Sequence, residues 1–248
     1  MVASTLLGVD PPRLPTSSLV RTGSLFGVNE GTMRVAMSRM VAKGELEPDS
    51  DGYRLAGPFV ARQERQEQSR RGDTGDWDGS WEMAVVANGA RSAADRVALR
   101  RALEDLRLAE WREGVWVRPE NLPAGRAGTS RLRRDEQCAV IGGARPDPSC
   151  GLRFDATELW DLAAWSDGAR SLLAEMAEIE PQMSGDHPTA LAPAFECAAA
   201  VLRHSGADPL LPDLLLPADW PGRELRHVYE RFVARFQTTL RLWMRRGS

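Results

Sequence analysis

Within residues 14–55 two glycines, Gly27 and Gly44, each close a helical stretch, and an Asp-Ser-Asp-Gly turn follows them. No other part of the chain restricts the fold so tightly. Pro15 and the hydroxyl residues after it can start a helix, and Leu19, Val20, Leu25 and Phe26 fall at helical apolar positions. Gly27 ends that helix because glycine tolerates the left-handed conformation at a helix C-terminus. Asn29 can cap the next helix, which runs to about Lys43 before Gly44 stops it. "ELEPDSDGYRLAG" then supplies two short extended pieces around the turn, a hairpin signal. Helix, tight turn, helix and hairpin make a winged helix-turn-helix, assigned to residues 1–60.

The rest of the chain changes character twice. "PFVARQERQEQSRRGDTGDWDG" is polar and charged, and reads as an exposed helix and a connector over residues 61–79, a solvated bridge between domains. "WEMAVVA" is a strand, and Ser92 caps a helix that places Ala98, Leu99, Ala102, Leu103 and Leu106 on one face. "LAEWREGVWVRP" is a hairpin turning at Glu113 and Gly114; a loop rich in Gly, Arg and Pro follows, then the strand "CAVIGGA". Strand, helix, hairpin and strand suggest a ferredoxin-like α+β domain over residues 80–150, with one helix hard to locate. Residues 151–248 read as helical, with Thr157 as a candidate cap, a second helix over 190–204 and a long final helix. In that last helix Leu225, Val228, Tyr229, Phe232 and Phe236 form an apolar stripe. Between these two helices "DPLLPDLLLPADWPG" reads as a rigid strap across the helical domain, its path set by prolines. The fold class is therefore α+β and multidomain.

Composition narrows the function classes. No apolar run reaches the roughly 18 residues of a membrane span, and no secretory pattern opens the chain, so a soluble cytoplasmic protein is the expectation, with no membrane partner. Cys138, Cys150 and Cys197 are odd in number and widely spaced; His187, His204 and His227 are scattered. Neither set has disulfide-framework or zinc-site spacing. Nucleophile-elbow, P-loop, HExxH and EF-hand patterns do not occur, so no cofactor, metal or catalytic residue is assigned. The net charge of −3 counts against a polycation but leaves room for a local basic face. Lys43 is the single lysine, and arginine supplies every other cationic side chain of that kind.

On a helical wheel, residues 29–46 divide. Met33, Ala36, Met37, Met40 and Val41 share a core-facing side. Gly31, Val35, Ser38, Arg39 and Ala42 lie opposite, with Thr32, Arg34 and Lys43 on the flanks. A solvent face more often alternates Glu, Gln and Lys. Small residues in the middle and donors at the rim suit a helix that enters the major groove closely. Ser38 can donate to a base edge or a phosphate, and Val35 can touch a thymine methyl. Arg39 and Lys43 can neutralise phosphates, whereas Arg34 has the alternative of pairing with a carboxylate in its own domain. On the wing, Tyr53 and Arg54 are the candidate DNA contacts. The tip "EPDSDG" is acidic and is expected to stay off the backbone.

"SLFGVNEGTMRVAMSRMVAKGELE...GYRL" resembles the start of the phenylacetate-catabolism repressor (PaaX-like) family of bacterial regulators. The likeness rests on Leu25, Phe26, Gly27, Arg34, Ala36, Ser38, Arg39, Met40, Val41, Gly44 and Leu46. It continues through "WDGSW", "REGVWVRPENL", "LWDL" and "DPLLPDLLLPADWPG" in the same order. The resemblance implies a winged helix, a central ferredoxin-like domain similar to Cas2-type proteins, and a helical C-terminal domain. It further implies a homodimeric transcriptional repressor bound to double-stranded operator DNA and released by an aryl- or acyl-CoA effector such as phenylacetyl-CoA. A CoA ester needs cations for its phosphates and an apolar slot for its acyl group. Residues 125–134 offer Arg126, Arg131, Arg133 and Arg134 to phosphates, or equally to DNA or water. Trp160, with Trp165 and Trp220, can line an acyl pocket or fill a core. Two alternatives stand beside the repressor. One is a DNA-binding architectural protein without effector; the other is a metal-dependent nuclease of Cas2-like type using Asp76 and Asp78.

Overall fold

In a computed structural model, residues 2–7, 11–87, 89, 91–123, 128–147, 149, 153–183 and 188–245 are described. The chain divides into two compact units. The first gathers Met1–Arg71, Gly168–Gly206 and Pro221–Ser248; the second gathers Gly72–Asp167 and Ala207–Trp220.

The first unit opens with the winged helix: α1 (Val2–Leu7), β1 (Arg13–Pro15), α2 (Thr16–Ser24), α3 (Glu30–Ala42), β2 (Leu46–Asp49) and β3 (Gly52–Leu55). The helix-turn-helix and hairpin agree with the sequence reading; α1 and β1 are additions to it. The sheet runs β1-β3-β2, all antiparallel, with Leu14 opposite Tyr53 and Pro48 opposite Tyr53 from the other side. Leu6, Leu19, Met33, Met37, Leu46 and Leu55 form its core, so α1 closes a core that the two later helices and the sheet leave open.

The same unit contains α4 (Pro58–Arg71), α8 (Leu162–Ile179) from Gly168 onward, α9 (Leu191–Gly206) and α10 (Gly222–Arg245). Here one expectation is corrected: α4 is no solvated bridge. It packs on α9, its Ser69 is buried, and Arg70 reaches both Glu67 at 2.7 Å and Glu230 of α10 at 3.6 Å. Its polar sequence conceals this because no apolar stripe marks the inward side, where a small serine is buried and Arg70 pairs with Glu67 and with Glu230 of α10. On α10 the expected stripe is buried at Leu225, Tyr229, Phe232 and Phe236, and Val228 is half-buried.

In the second unit, β4 (Trp81–Val86), α5 (Ala93–Asp105), β5 (Ala109–Arg112), β6 (Val115–Pro119), α6 (Thr129–Gln137) and β7 (Cys138–Ala144) form a ferredoxin-like βαββαβ fold. The strand order is β5-β6-β4-β7, all antiparallel. Ser92 caps α5 through the Asp95 amide at 3.1 Å, and the β5–β6 hairpin turns at Gly114. The helix that was hard to locate is α6, in a stretch read as loop; its side chains are mostly charged, so no apolar period marks it.

Further along, Thr157 does not cap a long helix. Asp155 caps the short α7 (Ala156–Leu159), and α8 begins afresh with the Asp161 carboxylate accepting from the Ala164 amide at 3.0 Å. The leucine- and proline-rich strap is clustered with this unit. Leu211 packs with Ala156 and Leu162, and Trp220 stacks on Trp165 at 4.4 Å. The Asn121 amide donates to the Leu210 carbonyl at 2.8 Å, which ties the strap to the ferredoxin-like fold as well as to α7 and the start of α8.

Candidate nucleic-acid interface

The outward face of α3 is built from its cap upward. The Asn29 side chain accepts from the Thr32 amide at 2.8 Å and satisfies one of the free donors of the first turn. Met33 and Met37 are buried in the winged-helix core and fix the rotation of the helix. That rotation leaves Gly31, Thr32, Arg34, Val35, Ser38, Arg39, Ala42 and Lys43 exposed, with Val35 at 50%. At the far end Gly44 adopts φ +67°, which lets the chain leave toward β2 without a Cβ clash.

The basic residues of this face are not equivalent. Arg34 is held by Glu30, one turn earlier, at 2.7 Å. Among the described residues no carboxylate pairs with Arg39 or Lys43, so both keep their charge for an external partner. On the wing, Tyr53 is half-buried against the domain core. Arg54 is exposed but bound to Glu47, its cross-strand neighbour, at 2.5 Å. Asp49 faces Arg13 at 3.7 Å, and the Asp51 carbonyl accepts from the Thr16 amide at 3.1 Å. A carboxylate partner within the domain was expected for Arg34 without Glu30 being named, whereas Glu47 was missed as the partner of Arg54. The first was legible from the Glu-to-Arg spacing of four on a helix; the second needed the strand register.

The candidate effector residues fall in different surroundings. Arg131 and Arg133 are half-buried on α6. Arg134 is a correction: it is buried, and its guanidinium binds Glu82 and Asp135, so it is closed to a phosphate. Arg126 lies outside the described residues. Trp160 packs against the apolar cluster of Ala156, Leu162 and Leu211, with Trp220 beside it.

Arg118, buried nearby in the second unit, donates to the carbonyls of Pro119 and Leu106 and to the Asn121 side chain. Desolvation pulls it down to about 10, so it stays charged at neutral pH. At the start of the first central strand, Asp78 accepts from the Ser80 hydroxyl and amide and pairs with Arg145 at 2.5 Å. The Ser80 hydroxyl, ahead of the other donors, holds its carboxyl below the usual range. Among the described residues no group of three or more His, Cys, Asp or Glu side chains is arranged to hold a metal ion. Nor is any helix among them long and apolar enough to cross a membrane.

Comparison with known proteins gives three family-model matches in chain order. Residues 2–58 match the family model of the PaaX-like protein. Residues 74–141 match the PaaX protein central Cas2-like domain, and residues 160–245 the PaaX-like protein C-terminal domain. Among solved structures, the chain is similar to "Uncharacterized protein Rv0674 from Mycobacterium tuberculosis". The two share 36% sequence identity over 97% of this chain and 96% of that one, with a TM-score of 0.70. None of the curated proteins compared matches the chain.

Proposed function

This chain belongs to the PaaX-like protein family, whose members are generally transcriptional repressors, and on that premise we propose that it is a sequence-specific repressor that binds operator DNA through α3. The observation that carries the reading is the outward face of α3. It is small in the middle, with Val35, Ser38 and Ala42 exposed, and its rim cations Arg39 and Lys43 have no acidic partner among the described residues. In that arrangement Val35 and Ser38 touch base edges in the major groove while Arg39 and Lys43 neutralise phosphates. Arg34 stays with Glu30 and contributes less, and the wing contributes through Tyr53 and Arg54 only after Arg54 leaves Glu47.

The repressor acts as a homodimer, so that two α3 helices read two half-sites. An aryl- or acyl-CoA, phenylacetyl-CoA first among them, lowers its affinity for the operator. Within the arginine-rich segment, Arg131 and Arg133 are the described cations that keep solvent access, and they are the candidates for the phosphates of such a ligand.

The test is a binding titration of the purified protein against DNA from its own upstream region, repeated at several salt concentrations. Arg39→Ala and Lys43→Ala each lower affinity and reduce the salt slope by about one. Addition of phenylacetyl-CoA or another acyl-CoA raises the thermal midpoint and abolishes the specific complex. A protein with no specific complex, or one indifferent to both substitutions, overturns the DNA reading. A ligand that stabilises the protein without releasing DNA overturns the effector reading alone.

A further inference from the structure

The helix-turn-helix has a second set of contacts that its own core does not need. Arg21, on α2, donates through Nη1 to the Met244 carbonyl at 2.6 Å and through Nη2 to the Trp243 carbonyl at 2.8 Å. Its guanidinium also lies 4.5 Å from the centroid of the Trp243 ring. Met244 and Trp243 belong to the last turn of α10, where carbonyls have no partner within the helix and the dipole presents negative charge. A planar fork with two parallel donors suits two adjacent carbonyls, and its face suits the indole. Phe26, in the turn between α2 and α3, meets Phe195 of α9 edge-to-face at 5.2 Å, and Phe195 lies 6.4 Å from Phe236 of α10. Neither Arg21 nor Phe26 belongs to the apolar cluster that holds the winged helix together.

We propose that Arg21 and Phe26 are positioning residues that seat the helix-turn-helix on the C-terminal helices. The orientation of α3 is then set by α9 and α10 and not by the winged helix alone. This inference rests on the reading of α3 as the DNA-contacting helix. A reading helix held in one orientation meets its ordering cost when the chain folds, so less is charged against the DNA complex. The charge of Arg21 is spent on α10, and Arg21 therefore neutralises no phosphate. Any change at the C-terminal end of α10 reaches the DNA-reading helix through this contact.

The test uses the full-length protein with Arg21→Ala, Trp243→Ala and the pair combined, read by operator titration and by amide hydrogen exchange. Arg21→Ala weakens the specific complex on the order of tenfold, the value expected for lost charge-assisted hydrogen bonds. The salt slope stays at its wild-type value, whereas loss of a phosphate contact would lower it by about one. Trp243→Ala, at the far end of the chain, weakens the same complex, and the double variant adds little to either. Amides in the last turn of α10 exchange faster in Arg21→Ala, and Arg21→Lys restores only part of the affinity because it cannot span two carbonyls.

Wild-type affinity in Arg21→Ala, a tighter complex, or a reduced salt slope overturns the proposal. So does unchanged exchange at the end of α10, which decides the seating contact without DNA. A wild-type protein whose binding ignores Arg39 and Lys43 instead removes the DNA reading and leaves that exchange result standing.

Discussion

Gly23 of α2 lies directly over Met33 of α3: a Cβ at Gly23 would come within 2.6 Å of the Met33 Cγ and 2.9 Å of its Sδ. Met33 is only 2% exposed, and the near atom is in the middle of the side chain, so it cannot simply swing away. Alanine in a helix gains about 1 kcal/mol over glycine. Overpacking a tight core costs about 1–3 kcal/mol, and the second effect wins here. Gly23→Ala is therefore expected to lower the opening free energy of α2 and α3 by about 1 kcal/mol, read from amide hydrogen exchange. Met33→Ala should cost less in the Gly23→Ala background than alone, because the new methyl occupies part of the space left behind. Strict additivity of the two changes would contradict this packing.

That pair also marks where the sequence was readable. Met33, Met37, the Asn29 cap and the Gly44 stop are local features, and each stands in the structure where the helical period and capping rules put it. β1 was not readable: three residues carry no alternation, and the strand exists because Leu14 pairs with Tyr53, far away in sequence. α6 was missed for a different reason. Its apolar Leu132 is exposed and its buried residue is an arginine, so the inward face is polar and has no hydrophobic period. The tie between the strap and the ferredoxin-like fold depends on Asn121 meeting Leu210 across 89 positions, which no window along the chain contains. On the candidate interface, the exposed face of α3 was legible, while the loss of Arg54 to Glu47 required the strand register.

The α6 arginines should separate in their effects. Arg134 has a side chain 8% exposed and binds Glu82, which is 21% exposed, so its removal leaves a largely buried carboxylate short of a partner. Breaking a fully buried pair costs about 3–5 kcal/mol. Solvent at Glu82 and the positive charge of nearby Arg118 reduce this, and about 2–3 kcal/mol is expected for Arg134→Ala. Arg131→Ala and Arg133→Ala should stay within about 0.5 kcal/mol of the parent, as surface changes do. Exchange of the β4 and β7 amides measures all three. If Arg131 and Arg133 hold acyl-CoA phosphates, their variants lose ligand affinity at unchanged stability.

The acidic wing tip offers a test of how the domain lies on DNA. Asp49 faces Arg13 at 3.7 Å with both side chains substantially exposed, so that pair contributes at most about 1 kcal/mol and its loss leaves the fold intact. The combined Asp49→Asn and Asp51→Asn variant should bind operator at low salt with unchanged affinity, because a tip held away from phosphates is not repelled by them. A large gain at low salt, fading as salt rises, would instead put the tip against the backbone.

Asn121 joins two parts of the second unit through one side chain. Its oxygen accepts from Arg118 at 3.0 Å and its amide donates to the Leu210 carbonyl at 2.8 Å, with the residue only 2% exposed. Leu210 sits at φ +50°, a conformation that a leucine keeps only when its surroundings hold it. Asn121→Ala removes the side-chain donor from the buried Leu210 carbonyl, at about 1–3 kcal/mol, and takes one acceptor from Arg118, which keeps the Pro119 and Leu106 carbonyls. Asn121→Asp keeps an acceptor for Arg118 but turns the donor facing Leu210 into a second acceptor, which repels the carbonyl. Both variants should therefore loosen the strap, although only the alanine variant takes this acceptor from Arg118. Limited proteolysis reads the difference at the strap, where Leu214 is already 86% exposed. Faster cleavage over residues 207–220 is expected in both, with the thermal midpoint falling further for Asn121→Ala. Parent-like cleavage in Asn121→Asp would show that the leucine packing holds the strap without this hydrogen bond.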